Sequence, residues 1–232
     1  MNNETISIQA TLKAKSRRYL SINHIRAAAL FSRNCFRIEK EYNGIFSNEV
    51  YIDHDSFVIA AILSAASFLE ATINEFFADT LDSPDGAIVG SLDNTTKRLL
   101  ADMWKNNVVE KLGILEKFQI SLSIARKEQF DKGDPIYQNV DDLIILRNAL
   151  VHYKPAWIEA SQDLKTAHKL EKRLRKKFSL NPLMGAGHPF YPDKCLSHGC
   201  TQWAVESSIT FVEDFYSRLD VPFPFELDLK TS

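Results

Sequence analysis

Cysteine is scarce in this chain: Cys35, Cys195 and Cys200 are the only three in 232 residues. An odd trio makes no disulfide framework, so reduced thiols are expected. Glycine and proline are equally sparing at eight each, which disfavours a turn-rich β-sandwich. An excess of charge of either sign is also missing. The 28 Lys and Arg nearly balance the 30 Asp and Glu, a formal charge of −2, and the total announces no partner. Long apolar runs are lacking as well: the stretch Phe57 to Leu69 is interrupted by Ser64 and Ser67, whereas a bilayer span needs about 20 consecutive apolar residues. The first twenty residues hold no apolar h-region, so no secretory signal is read and a cytoplasmic protein is expected.

Apolar residues at 45% and charged residues at 25% are ordinary globular proportions. At roughly 150 residues per domain the length suits one elaborated domain. The apolar spacing is helical nearly throughout. One long helix is predicted over Thr11 to Tyr42, ended by Asn43-Gly44, followed by a polar loop to Asp55 in which Glu49-Val50-Tyr51-Ile52 forms at most a short extended piece. Ser56 to Asn74, with Glu70 its only charge, predicts a core helix closed near Asp82-Ser83-Pro84, with Asp53 and Asp55 as capping candidates. Residues 92–130 read as two or three amphipathic helices with Trp104, Leu112, Leu115 and Phe118 facing inward, and Asp131 to Pro135 as a turn into a helix over roughly 136–153. A charged helix over Ser161 to Phe178, an irregular connection over 179–197 and a last helix from Ser197 to Leu219 complete the chain. The expectation is an all-α helical bundle with long loops, a single domain over 1–232: a core of roughly 11–160, with 161–219 packed on it.

The segment Leu143 to Tyr153 is apolar nearly all round, yet it contains Arg147, Asn148 and His152. Such groups are costly to bury without partners. At about 100° per residue Asn148 and His152 lie some 40° apart on one ridge, while Arg147 and His152 are about 140° apart. The arginine must reach round its helix, or meet the histidine of a second subunit. This Arg-x4-His arrangement, with a polar residue straight after the arginine and on a late helix, resembles the motif of the HEPN superfamily. Ser67 to Phe77 is similar to the early core helix of many HEPN domains, where an acidic or polar residue packs near the motif arginine. The resemblance implies a helical bundle, a homodimer with the site at its interface, and metal-independent endoribonuclease activity without a cofactor.

The residue types suit that chemistry. Cleavage of RNA by its own 2′-hydroxyl needs a proton acceptor, a proton donor and positive charge at the phosphate. His152 is assigned as acid or base and Arg147 as phosphate clamp. Asn148 orients the imidazole or holds a phosphate oxygen, and Glu70 pairs with Arg147, with Asn74 a weaker participant on the same ridge. The bland reading makes Glu70 and Arg147 a buried ion pair, and His152 a histidine favoured by the helix C-terminus.

Between Asp163 and Lys177 seven basic residues face two acids. Lys169, Lys172, Arg173 and Lys176 are candidates for the phosphate backbone of RNA, against the plainer alternative of a solvated face. Cys195, His198 and Cys200, with His188 nearby, match no common zinc spacing and are read as structural. Phe190, Tyr191 and Trp203 are read as packing a loop against the core more readily than stacking a base. No Gly-rich phosphate loop, Gly-x-Ser-x-Gly or His-Glu-x-x-His is present. The leading expectation is a homodimeric nuclease of single-stranded RNA in a stress, toxin–antitoxin or anti-phage setting, with a neutralising antitoxin as a conceivable partner. Its rival is a non-catalytic regulatory or scaffold protein that uses the same face to hold a protein or nucleotide.

Overall fold

A computed structural model describes residues 17–42, 44, 47–154 and 165–225, without the side chains of 165–167. The described residues form an all-α protein with no strand: α1 (Ser21–Glu41), α2 (Asn48–Asp82), α3 (Asn94–Lys105), α4 (Ile114–Ile124), α5 (Pro135–Val151), α6 (Lys165–Leu174) and α7 (His198–Arg218). A 3-10 turn at Val109–Lys111 precedes α4, and a π-helical turn at Phe190–Lys194 precedes α7. The parts of the expected helices over 11–16 and 161–164 lie outside the described residues.

The centre is α2. Val58, Ala61, Ile62, Ala65, Phe68, Leu69, Ile73, Phe76 and Phe77 are all buried, a set too wide for one face, so helices must cover it on several sides. α1 lies along it, α7 packs against both, and α3, α4 and α5 touch it as well. By length and composition α2 is apolar enough to cross a membrane, but half of its most apolar stretch is buried within the fold. On α1 the buried residues Ser21, Ile25, Ala28, Ser32 and Cys35 recur every three or four positions. Most are small, which lets the backbones approach closely. Between α2, α4 and α7 the core is aromatic: Phe118 meets Phe211 and Phe215 edge to face at 5.0 and 4.8 Å, and Phe76 meets Phe215 at 5.3 Å.

Two helix starts differ from the sequence reading, and both follow from capping. α1 begins at Ser21 rather than near Thr11, because the Glu75 carboxylate reaches from α2 to accept from the backbone N–H groups of Leu20 (2.7 Å) and Ser21 (3.0 Å). That distant cap satisfies donors a helix start otherwise leaves orphaned. α2 begins at Asn48, with Ser47 accepting from the Val50 N–H, so 49–52 are helical rather than extended and Asp53 and Asp55 are not caps. The other expected starts stand. Asp134 caps α5 with Pro135 in its first turn, and Ser197 caps α7 through the Cys200 N–H.

Polar clasps bracket the apolar seam of the antiparallel pair α1 and α2. At one end Tyr19 donates to Asp79 (2.8 Å) and Arg17 pairs with Asp79 and Asp82. At the other, Glu39 accepts from fully buried His54 Nε2 (3.0 Å) and from the His198 N–H at the start of α7 (2.6 Å), so one carboxylate joins three helices. His54 Nδ1 lies 3.7 Å from Asp55, beyond hydrogen-bond reach, and is held by charge alone. Burial by itself lowers the imidazole pKa, yet Asp55 and Glu39 outweigh it and the value is raised above 6.5. Cys35 beside the same carboxylates is pushed up by burial and stays a thiol.

A group with a raised folded pKa contributes stability that is complete below its unfolded value and fades as pH rises through the folded one. His54→Gln is therefore expected to cost about 2 kcal/mol in acid, by taking the buried imidazolium away from Glu39 and Asp55 while Glu39 keeps the His198 N–H. The difference from wild type shrinks as pH rises above 6.5. Urea denaturation across pH 5.5 to 9 measures it, and a pH-independent difference contradicts the clasp.

Candidate functional site

α5 carries the three motif residues at its C-terminal end, where the helix leaves the core. Val140, Leu143 and Leu146 are buried, while Ile144, Ile145, Ala149 and Leu150 are partly buried and packed against the core. α7, α2 and α6 pack against this helix and cover much of its apolar surface. The exposed apolar surface is shifted to its end, at Val151 (50% exposed) and Tyr153 (52%).

His152 is the C-cap, exposed to solvent, with its N–H donating to the Asn148 carbonyl at 3.0 Å. The Arg147 guanidinium donates to Asn148 Oδ1 at 2.9 Å. The bond holds the guanidinium against the side chain of Asn148, which shares a ridge with His152. Arg147 also sits near the carbonyl end of the helix dipole, which favours positive charge.

Glu70 is placed elsewhere. Its carboxylate is 45% exposed and lies 3.7 Å from Lys117 Nζ of α4, and Lys117, which is buried, donates to Asn74 Oδ1 at 2.9 Å. The expected Glu70–Arg147 pair is not among the contacts of the described residues, and Glu70 joins a separate Glu70–Asn74–Lys117 cluster between α2 and α4. Lys117 gave no sequence signal, since a buried lysine on an amphipathic helix reads like a surface one.

The basic helix divides into two faces. Arg173 bridges Asp141 and Asp142 on α5, and Lys177 donates to Asn139 (2.6 Å) and pairs with buried Asp142 (3.0 Å). Arg173, expected on the RNA side, is instead committed to intramolecular ion pairs. Arg173 near the end of α6 and Lys177 in the turn after it are thus both tied to the first half of α5. Lys169 and Lys172 on α6 and Lys176 in that turn are exposed.

The irregular connection packs beside the same end, with the Tyr191 and Tyr153 ring centroids 6.4 Å apart. Burial raises the Tyr191 phenol to about 12. Phe190, Tyr191 and Trp203 are buried, and Phe178 stacks obliquely on Trp203 at 5.4 Å, so these aromatics are core. Cys195 and Cys200 are buried free thiols, His188 pairs with Asp193, and His198 Nδ1 faces the Ser32 carbonyl at 3.1 Å. Gly199 is fixed by proximity: a Cβ there would lie 2.6 Å from the Ser179 carbonyl oxygen.

Asp142→Ala is expected to lower stability by about 2 kcal/mol, less than for a fully buried pair because Arg173 and Lys177 can turn to water. Hydrogen exchange should rise first in 168–177. Unchanged exchange there means that α6 is held by Leu170 and Leu174 alone.

No protein-family profile, curated protein or solved structure matches this chain.

Proposed function

We propose that the protein is a metal-independent endoribonuclease of single-stranded RNA, related in fold and motif to the HEPN superfamily, with its site completed across a homodimer. The observation that carries this reading is the end of an otherwise packed helix, where Arg147 is bonded to Asn148 and Asn148 shares a ridge with solvent-facing His152. Arg147 holds the scissile phosphate by paired N–H groups and offsets the charge that builds on it. His152 takes the 2′-hydroxyl proton, and a second imidazole, from the partner subunit, protonates the departing 5′-oxygen.

Exposed lysines of the basic segment supply the approach for the strand. Lys169 and Lys172 on α6 and Lys176 in the turn after it face solvent, while Arg173 and Lys177 fasten the segment to α5. Each phosphate neutralised contributes sequence-independent, salt-sensitive affinity. Val151 and Tyr153 provide apolar surface beside His152 for a second copy, so a two-fold axis there brings two motifs into one cleft. A cytoplasmic location and a toxin or anti-phage role, with an antitoxin as inhibitor, belong to the same reading.

His152→Ala is expected to lose at least a hundredfold in RNA cleavage with an unchanged circular-dichroism spectrum, as the side chain is exposed. Val151→Arg is expected to give a folded, inactive monomer by light scattering at micromolar concentration. Full cleavage by His152→Ala overturns the assignment. A wild-type monomer that cleaves RNA removes the second subunit from the mechanism, and a stable dimer without cleavage favours the scaffold reading.

A further inference from the structure

A cleft of about 480 Å3 opens where the start of α1, the last turns of α2 and the chain after α7 come together. Its volume falls within the range of small-molecule sites, about 300–1,000 Å3. Ile22, Ile88, Pro224 and Phe225, all half-buried, give it apolar walls over the buried rings of Phe76 and Tyr216, and Arg26 is its cation. Arg26 stands four residues after Ile22, one turn up the same ridge of α1. It is exposed and has no hydrogen-bonding or acidic partner among the described residues.

The one carboxylate in the lining is already spent. Glu75 Oε1 accepts from the Leu20 and Ser21 N–H groups and Oε2 from the Ser21 hydroxyl. Its negative charge lies against the positive end of the α1 dipole. Tyr19, also in the lining, has its hydroxyl fixed on Asp79. The cleft therefore presents apolar surface, with one accessible ring in Phe225, and a single uncommitted positive charge.

We propose that this cleft binds a small aromatic monoanion, its ring body against Ile22, Ile88 and Phe225 and its carboxylate or sulfonate on Arg26. The Phe225 ring accepts a flat ring edge to face or offset, and a guanidinium pairs with a planar or tetrahedral oxyanion through two N–H groups. This site is independent of the ribonuclease reading and involves none of its residues.

The test is a fluorescence titration of the full chain with 8-anilinonaphthalene-1-sulfonate, beside its neutral counterpart N-phenyl-1-naphthylamine. Wild type is expected to bind the sulfonate saturably at one per chain. Arg26→Ala is expected to weaken it about tenfold, the scale of one charge-assisted contact, while leaving the neutral probe unchanged. Ile88→Trp, which fills the cleft, should abolish both signals. If that variant fails to fold, the surface change Arg26→Ala still decides. Non-saturable binding, or equal sulfonate affinity in wild type and Arg26→Ala, overturns the proposal.

Discussion

The burial of α2 is the constraint on which the rest of the molecule depends. A helix whose apolar positions run all round must be covered on every side, and each large side chain taken from water contributes about 1.5–3 kcal/mol. α1 and α7 carry most of that cover, and α3, α4 and α5 the remainder. Apolar contact alone tolerates sliding. The clasps at both ends of the α1–α2 seam, Glu75 on Leu20 and Ser21 and Glu39 on His54, fix the register because a displaced helix would leave charges buried and unpaired.

The motif helix inherits its position from this arrangement. α5 packs Leu143 and Leu146 inward, and its last turn emerges at the surface just where Arg147, Asn148 and His152 fall. Asp142 lies one turn deeper and holds Arg173 and Lys177, so the same helix that presents the motif anchors the basic helix beside it. Replacing any one of these charges disturbs the neighbouring element first and the core last. Asn148 matters for a different reason: it holds the Arg147 guanidinium without burying either group.

The all-α architecture was legible because apolar spacing at three and four residues persists through the chain, and caps such as Asp134-Pro135 and Ser197 are local signals. The starts of α1 and α2 were misplaced for opposite reasons. Glu75 caps α1 from 54 residues away, which no local pattern encodes, whereas Ser47 is an ordinary cap hidden behind a polar stretch that resembled a loop. Within the candidate site, Arg147, Asn148 and His152 stood out as polar groups in an apolar run. The partner of Glu70 did not, because a lone acid on a core helix can turn toward either neighbour, and Lys117 of α4 took it. Arg173 was indistinguishable from Lys172 by composition. Only the seating of Arg173 on Asp141 and Asp142 separates the anchoring charge from the exposed ones.

The central claim is that α5 ends in groups able to activate the RNA's own 2′-hydroxyl. The most direct measurement is mass spectrometry of the ends left on a defined single-stranded RNA cleaved by wild-type protein in excess EDTA. Attack by the neighbouring hydroxyl leaves a 2′,3′-cyclic phosphate and a free 5′-hydroxyl, and those ends are the result expected. Products carrying a 5′-phosphate and a 3′-hydroxyl, or cleavage that stops with chelation, contradict it.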